Sequence, residues 1–323
     1  MEIKIVKSDD DFKELLPIVA TKEFLQSKSD IFGWFVSDEF ILPYIVEKKF
    51  IFKRMIFTYS VIVRAVSHDI SQKEFLNKVV QLSKSLNIDF IYQPYAFAVF
   101  EDIPAGCIFT KFGSYKVDLT KSEDELFKSL HSKHRNVIRK AQKNGLNIYN
   151  GIKYKDESYN LIKDTLIRQN QPYMSKDSIE KMNELLGKNI EFYIIKNQDK
   201  VEGSAIILYN KHEAYYLLAG SSMKTSAGAM NLLVWQIMLD MKKKGVESFD
   251  FVGARIKPQT GSKFEGIQRF KSRFGSTLKE GYLWKMPIKP FKYNLFRFVT
   301  WLYYKVNNKA YAGDIIDQEL KNG

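Results

Sequence analysis

Tyr216-Leu217-Leu218-Ala219-Gly220-Ser221-Ser222, Asn231-Leu232-Leu233-Val234-Trp235-Gln236-Ile237, Phe249-Asp250-Phe251-Val252-Gly253 and Gly266-Ile267-Gln268-Arg269-Phe270-Lys271-Ser272-Arg273-Phe274-Gly275 follow one another within sixty residues. The first block closes an apolar run over 214–219 and reads as a strand end. The second lies on an amphipathic helix, with Met230, Leu233, Val234, Ile237 and Met241 on one face and Gly245 as its stop. The third is a short buried strand and the fourth a helix over 266–274. Strand, helix, strand and helix in turn argue for a mixed α/β fold.

Outward from these blocks the pattern continues. Strands are expected at 192–196, 203–209 and 278–286, and helices near 159–169 and 178–186, with Asn170-Gln171-Pro172 forcing a break between the two. In the N-terminal half, 3–6 reads as a strand and 9–19 as a helix opened by acidic residues. Residues 40–46 and 50–66 read as paired strands, and 75–86 as a helix capped by Ser71. Further strands are expected at 90–93, 97–100 and 115–119. One long basic helix over 121–144 is expected to end at Gly145. The chain of 323 residues is long enough for two domains. We place them at 1–150 and 151–287, followed by a C-terminal amphipathic helix and tail at 288–323.

Fifty Lys and Arg stand against 37 Asp and Glu, a net charge of +13 spread along the whole chain. Such a field suits anionic partners, although it also serves solubility alone. A single cysteine, Cys107, excludes an internal disulfide and a thiolate metal cluster. The four histidines, 68, 131, 134 and 212, make no zinc motif. His131 and His134 stand three apart on one helix, but Lys133, Arg135, Arg139 and Lys140 surround them and repel a metal ion. No metal site is expected. Glu2, Lys4 and Lys7 interrupt any apolar leader, so the cytoplasm is the expected location.

The four blocks together closely resemble the Fem family of peptidoglycan-bridge aminoacyltransferases. Its second domain carries a Tyr…Gly-Ser-Ser strand end, a Leu-Leu-x-Trp helix, an Asp-Phe-x-Gly strand and a Gly-Ile…Phe-Lys…Phe-Gly helix. Weaker matches precede them: Phe24-Leu25-Gln26-Ser27, Tyr115-Lys116-Val117-Asp118-Leu119, and Lys133-His134-Arg135-Asn136-Val137-Ile138-Arg139-Lys140-Ala141. The resemblance runs from about 20 to 275. It implies a mixed α/β (α+β) fold of two tandem GCN5-related N-acetyltransferase-like domains, with the acceptor in a cleft between them. It also implies attack of an acceptor amine on an activated acyl carbonyl, the ester of an aminoacyl-tRNA, with no metal and no covalent enzyme intermediate.

The residues bear on that chemistry independently. An amide formed from an ester passes through an oxyanion, which a fixed cation stabilises. Lys271, flanked by Phe270 and Phe274, matches the lysine of the family's Phe-Lys motif and is the first candidate, with Phe270 beside it; the bland alternative is one solvated lysine among many. Arg135 and Arg139, four apart on a helix, suit a diphosphate, or merely offset a helix dipole. Asp118 is a candidate base or amine-orienting group, although a strand-end Asp is more often a turn residue. Tyr216 and Ser222 are candidates for an acceptor channel and Arg273 for a phosphate surface, with packing and ordinary surface charge as the alternatives. Asp250, between two Phe residues, is expected to be hydrogen-bonded and structural.

The chain departs from the family in lacking a long coiled-coil insertion. It also lacks the glycine-rich loop that cradles coenzyme A pyrophosphate; Lys224-Thr225-Ser226-Ala227-Gly228-Ala229 is only a partial match. The leading expectation is transfer of an amino acid from aminoacyl-tRNA to an amine of an anionic, nucleotide- or lipid-linked cell-wall precursor, with no bound cofactor. The first alternative is an acyl-CoA-dependent N-acyltransferase acting on an amino sugar of a surface polysaccharide. The second is a non-catalytic binder of tRNA or other nucleic acid, against which no compact recognition motif appears. In the tail, Phe291, Leu295, Phe298, Leu302 and Val306 share a helical face beside several cations. Segment 290–309 therefore suits either peripheral contact with an anionic inner membrane face or packing on the second domain.

Overall fold

Pro17 decides how the chain begins. In the computed structural model, which describes residues 1–65, 71–307 and 313–322, no helix spans 9–19. Two single 3-10 turns, Lys13–Leu15 and Ile18–Ala20, stand on either side of Leu16-Pro17; Leu16, held extended before the proline with ψ 128°, ends the first, and Pro17, with ψ 155°, starts the second. The helix forms later, as α1 (Lys22–Lys28), with Thr21 as its cap. The Asp9 carboxylate accepts from the Lys22 backbone N–H at 3.0 Å, so it serves the start of α1 from a distance. Val66, His68 and Lys309 lie outside the described residues.

Contacts divide the chain into two units that interleave in sequence. One comprises Met1–Ser114, Gly253–Phe264 and Glu280–Gly323; the other comprises Tyr115–Val252 and Glu265–Lys279. A single cut near 150 is therefore not how the contacts divide, and the tail clusters with the N-terminal unit.

In the first unit a sheet is built from β1 (Lys4–Val6), β2 (Ile31–Val36), β3 (Phe40–Lys49), β4 (Phe52–Phe57) and β6 (Phe90–Ile91) in that order, with β5 (Ile62–Val63) also on β3. The expected strand over 50–66 is thus two strands. α2 (Gln72–Ser85) opens with a full capping box between Ser71 and Glu74. It buries Phe75, Leu76, Val79 and Val80 against Phe35, Phe57, Phe100 and Trp284. Phe97 to Phe100 form no strand; Phe100 makes one isolated bridge to Tyr282.

β7 (Ile108–Asp118) brings its last four residues into the second unit. The expected helix over 121–144 is two helices, α3 (Glu123–Ser129) and α4 (Ser132–Lys143), separated where Leu130 is extended with ψ 141°. Each has its own cap: a Ser122–Glu125 capping box for α3, and the His131 imidazole accepting from the Lys133 N–H for α4. After β8 (Asn147–Asn150), α5 (Lys155–Arg168) and α6 (Lys176–Leu186) come β9 (Ile190–Asn197), β10 (Lys200–Tyr209) and β11 (Glu213–Ser221). Then α7 (Ala229–Lys243) crosses to β12 (Ser248–Asp250), and α8 (Lys263–Ser272) follows. The sheet runs β7-β12-β11-β10-β9-β8, with β11–β12 its parallel pair, as the helical crossover between them requires. Leu233, Val234, Ile237 and Met241 of α7 bury against Tyr193, Ala205 and Phe249.

β13 (Ala254–Arg255), β14 (Thr277–Lys285), α9 (Pro290–Val306) and α10 (Ile315–Asn322) complete the chain. Lys285 is 1% exposed and meets Asp314 and Asp317 at 2.8 Å each, which ties α10 to β14. Tyr293 and Phe296 of α9 bury against Phe52 and Phe90. Gly275, the last residue of the Phe-Gly block, has φ +71°, and a Cβ there would stand 2.1 Å from Ser129 Oγ. Gly275→Ala is therefore expected to cost about 2 kcal/mol or more, read as a lowered denaturant midpoint.

Candidate active site

Parallel pairing of β11 with β12 ends early. Glu213 faces Ser248, Ala214 faces Phe249 and Tyr215 faces Asp250, after which β12 stops while β11 runs on to Ser221. From there Phe251 donates its N–H to the Tyr115 carbonyl at 2.9 Å, and the chain turns sharply. Val252 takes φ +55°, a left-handed conformation that a β-branched residue adopts only under constraint. The constraint is Asp250, whose Oδ1 accepts from the Val252 N–H at 2.6 Å. Asp250 is 2% exposed, and its other oxygen lies 3.3 Å from Lys116 Nζ. Lys116 also pairs at 2.5 Å with Glu213, which takes a hydrogen bond from Ser248. Burial raises the Glu213 pKa, an effect partly opposed by Lys116. A buried, fully engaged Asp250 is what its sequence setting requires.

The outcome of that turn is an aimed carbonyl. Lys271 Nζ, from α8, donates to Val252 O at 2.6 Å. Burial pulls the Lys271 pKa down to about 8, partly countered by Asp250. An amine with that pKa is still mostly ammonium at neutral pH, yet is held with little water around it. Aromatic rings surround the segment: Phe251 lies 5.3 Å from Phe274, Phe270 5.1 Å from Phe274, and Tyr216 6.0 Å from Phe251. His134 stacks into the same cluster 4.6 Å from Phe274, 4% exposed, its pKa lowered to about 4 by burial. It is a neutral packing residue. No cluster of metal-ligating side chains occurs among the described residues.

Lys271, Phe270 and Tyr216 are thus gathered around one aromatic cluster, with Asp250 behind it. The other sequence candidates stand elsewhere. Asp118 pairs with Ser248, at the opposite end of β12, four residues or about 13 Å of extended chain from Val252. Its carboxylate accepts from both the N–H and the hydroxyl of Thr120, which lowers its pKa and holds it in a turn. Arg135 donates to the carbonyls of Lys128 and Leu130, closing the C-terminus of α3. Arg139 lies over the Phe127 ring at 5.1 Å. Arg273 contributes its backbone carbonyl, which accepts from the His131 N–H. Ser222 belongs to the loop before α7: its N–H donates to the Glu202 carbonyl, and its own carbonyl accepts from Thr225 Oγ1 at 2.7 Å.

That loop is bonded to a group on β10 that no residue pattern singles out. Glu202, 4% exposed, accepts from the Ser226 N–H at 2.7 Å and the Ser226 hydroxyl at 2.8 Å. Gly228, at φ +85°, then turns the chain into α7. The protein's own carboxylate thus lies beside the start of α7, where a helix N-terminus favours an anion. Glu202 sits mid-strand in an unremarkable Val-Glu-Gly context, which is why the residue pattern alone did not single it out.

The sequence of residues 176–300 matches the FemAB family, a span holding all four blocks from which the Fem resemblance was drawn. No curated protein sequence matches the chain. Among solved structures the fold is similar to FemX, at 14% identity and TM-score 0.68, over 91% of this chain and 99% of that one. It is also similar to the C-terminal domain of a putative lysylphosphatidylglycerol synthetase from Agrobacterium fabrum, at 17% identity and TM-score 0.55, over 84% and 89% of the two chains. A tandem GNAT protein from the clavulanic acid biosynthesis pathway aligns over 90% and 99% with TM-score 0.53 and 9% identity. The Fem resemblance is borne out, as is a mixed α/β fold of two acetyltransferase-like parts. Family match and fold together support an aminoacyltransferase.

Proposed function

We propose, for a chain whose residues 176–300 match the FemAB family, that it transfers an aminoacyl group from aminoacyl-tRNA to an amine of a cell-wall precursor. The observation that carries this is Lys271: an amine desolvated to a pKa of about 8 and fixed beside the strained end of β12, in the family's own motif. In the reaction the acceptor amine attacks the ester carbonyl, a C–N bond forms, and the C–O bond to the tRNA ribose breaks. The Lys271 ammonium stabilises the oxyanion and can give a proton to the departing ribose oxygen while taking up the one the attacking amine loses, so it ends the step as it began. Aromatic neighbours keep that charge poorly hydrated, which strengthens its effect.

For the donor, Glu202 favours tRNA over coenzyme A. A pyrophosphate approaching the start of α7 would meet a carboxylate already bonded to the Ser226 N–H. The net charge of +13 suits a polyanion. A lipid-linked acceptor would in addition bring the enzyme to a membrane face.

Charged tRNA, acyl thioesters and precursor mixtures offered to the purified chain, with product mass as readout, test this directly. Aminoacyl-tRNA is expected to yield an acceptor heavier by one amino-acid residue. Its binding should weaken about a thousandfold between low and moderate salt if six phosphates are contacted. Measurable acyl-CoA binding with no tRNA binding at low salt would replace this with the amino-sugar acyltransferase.

A further inference from the structure

We propose that the first unit carries a two-part docking surface for an anionic lipid bilayer, formed by the β3–β4 hairpin tip and the outer face of α9. It deepens the function above by naming where a membrane would be met, and rests on that reading only for its purpose.

The sequence marks one apolar stripe on α9, and the structure shows which way it faces. Tyr293 and Phe296 turn inward, 4% and 7% exposed, with Phe296 5.4 Å from Phe52 and 4.9 Å from Phe90. At 100° per residue, Phe291, Leu295, Phe298, Leu302 and Val306 form the stripe on the other side of the helix, although Leu295 still packs partly against the Phe52–Phe90 cluster. Four of those five are exposed, Phe291 at 80% and Val306 at 72%. α9 therefore has two apolar faces, and its inner packing leaves Phe291, Phe298, Leu302 and Val306 uncovered. A closing helix needs only the inner one.

The second part was not visible in the sequence. Between β3 and β4 the chain turns at Phe50, which has φ +56°, and Phe50 and Ile51 are 73% and 71% exposed. Two large apolar side chains at a hairpin tip contribute nothing to the core. Phe52, two residues on, is the residue that packs on Phe296, so the tip stands beside α9 in the same unit. Apolar exposure concentrated in this way marks an interaction site.

Charge selects the occupant. From Lys48 to Arg54 there are four cations and on α9 three, Lys292, Arg297 and Lys305. Arg54 pairs with Glu47, Lys292 with Asp89 and Arg297 with Asp317, so the positive charge offered to a leaflet comes from Lys48, Lys49 and Lys305. Lys48 and Lys49 are exposed beside the tip. Trp301, 42% exposed, and Tyr303, 58% exposed, suit the headgroup boundary. Apolar side chains ringed by cations fit an acidic leaflet better than a protein surface of unstated charge. No described helix is long and apolar enough to cross a membrane, so contact would be peripheral.

The full chain is to be sedimented with vesicles of phosphatidylcholine alone and of phosphatidylcholine mixed with phosphatidylglycerol, without substrates. Binding is expected to the mixed vesicles and to weaken with salt. Phe50→Ser with Ile51→Ser, and separately Phe298→Ser with Leu302→Ser, should each reduce partitioning about tenfold or more. Lys48→Ala with Lys49→Ala should reduce it about fivefold per cation. All of these side chains are exposed, so melting temperatures should stay unchanged. If an apolar variant nevertheless unfolds, the lysine pair decides. Absence of binding to anionic vesicles, or undiminished binding by the hairpin variant, overturns the surface. Self-association through the stripe without vesicle binding does the same. Because no transfer is measured, failure of the proposed reaction and failure of this surface are separate results.

Discussion

Lys271→Ala is expected to lower turnover about a hundredfold while the chain still folds. Loss of one donor that acts on a developing oxyanion typically costs about 3 kcal/mol of transition-state stabilisation. Lys271 is such a donor if its ammonium is the acting form, and its pKa supplies a second, sharper readout. Lowered to about 8 by burial, it loses its proton as pH rises through that value. Turnover should therefore fall on the alkaline side of pH 8, and Lys271→Arg, if active, should carry the limb upward because a guanidinium stays charged. The same shift has a stability consequence of opposite sign to catalysis. A lysine whose folded pKa lies below its unfolded value of 10.5 destabilises the fold at pH below about 8, and that cost disappears as pH rises toward 10.5. Lys271→Met, which keeps the apolar stem, should thus unfold at pH 7 no more easily than the wild type and about 1–3 kcal/mol less easily at most. Near-normal turnover in Lys271→Ala, or a rate that climbs steadily past pH 9, would remove Lys271 from the chemistry.

How much of this was legible in the sequence follows from how local each signal is. The helices and strands of 155–285 lay close to where periodicity put them, since each carries its own apolar face and its own stop. The Phe-Lys block was legible through the family resemblance, and Asp250 through the cost of burying a bare carboxylate between two Phe residues. What failed was non-local. The helix expected over 9–19 ignored Pro17, and the long basic helix ignored a break at Leu130 that Arg135 stabilises from the far side. Arg135, Arg139 and Asp118 drew attention by charge and spacing, yet those charges are used within the fold. The strain at Val252 and the carboxylate of Glu202 arise from tertiary pairing alone. No residue pattern announces a left-handed valine, and a single mid-strand Glu looks the same whether it meets water or the start of a helix.

Asp250→Ala should be the most destabilising of the changes considered, and should disable the site at the same time. Asp250 holds two things: the N–H of Val252 through one oxygen and Lys116 through the other. Removing it takes the acceptor from the part-buried Val252 N–H and one of two carboxylates from Lys116, whose pairing with Glu213 remains. Breaking a buried pair from one side typically costs about 3–5 kcal/mol, a large share of the stability of a folded domain. Glu213 offsets part of this, because Asp250 is among the charges that raise its pKa and its removal leaves the Glu213–Lys116 pair better matched. The site suffers through Val252. Without the Asp250 acceptor the turn loses the bond that holds Val252 at φ +55°, and the carbonyl that receives Lys271 Nζ can turn away. Asp250→Asn separates the two roles. Its amide oxygen can still accept from the Val252 N–H while the charge opposite Lys116 is gone. The expected order in denaturant unfolding is wild type, then Asn, then Ala. Activity should follow the Val252 bond, with Asn retaining much more than Ala. Equal loss of activity in Asn and Ala would mean that the Asp250 charge, acting on Lys271 or Lys116, matters more than the turn it holds.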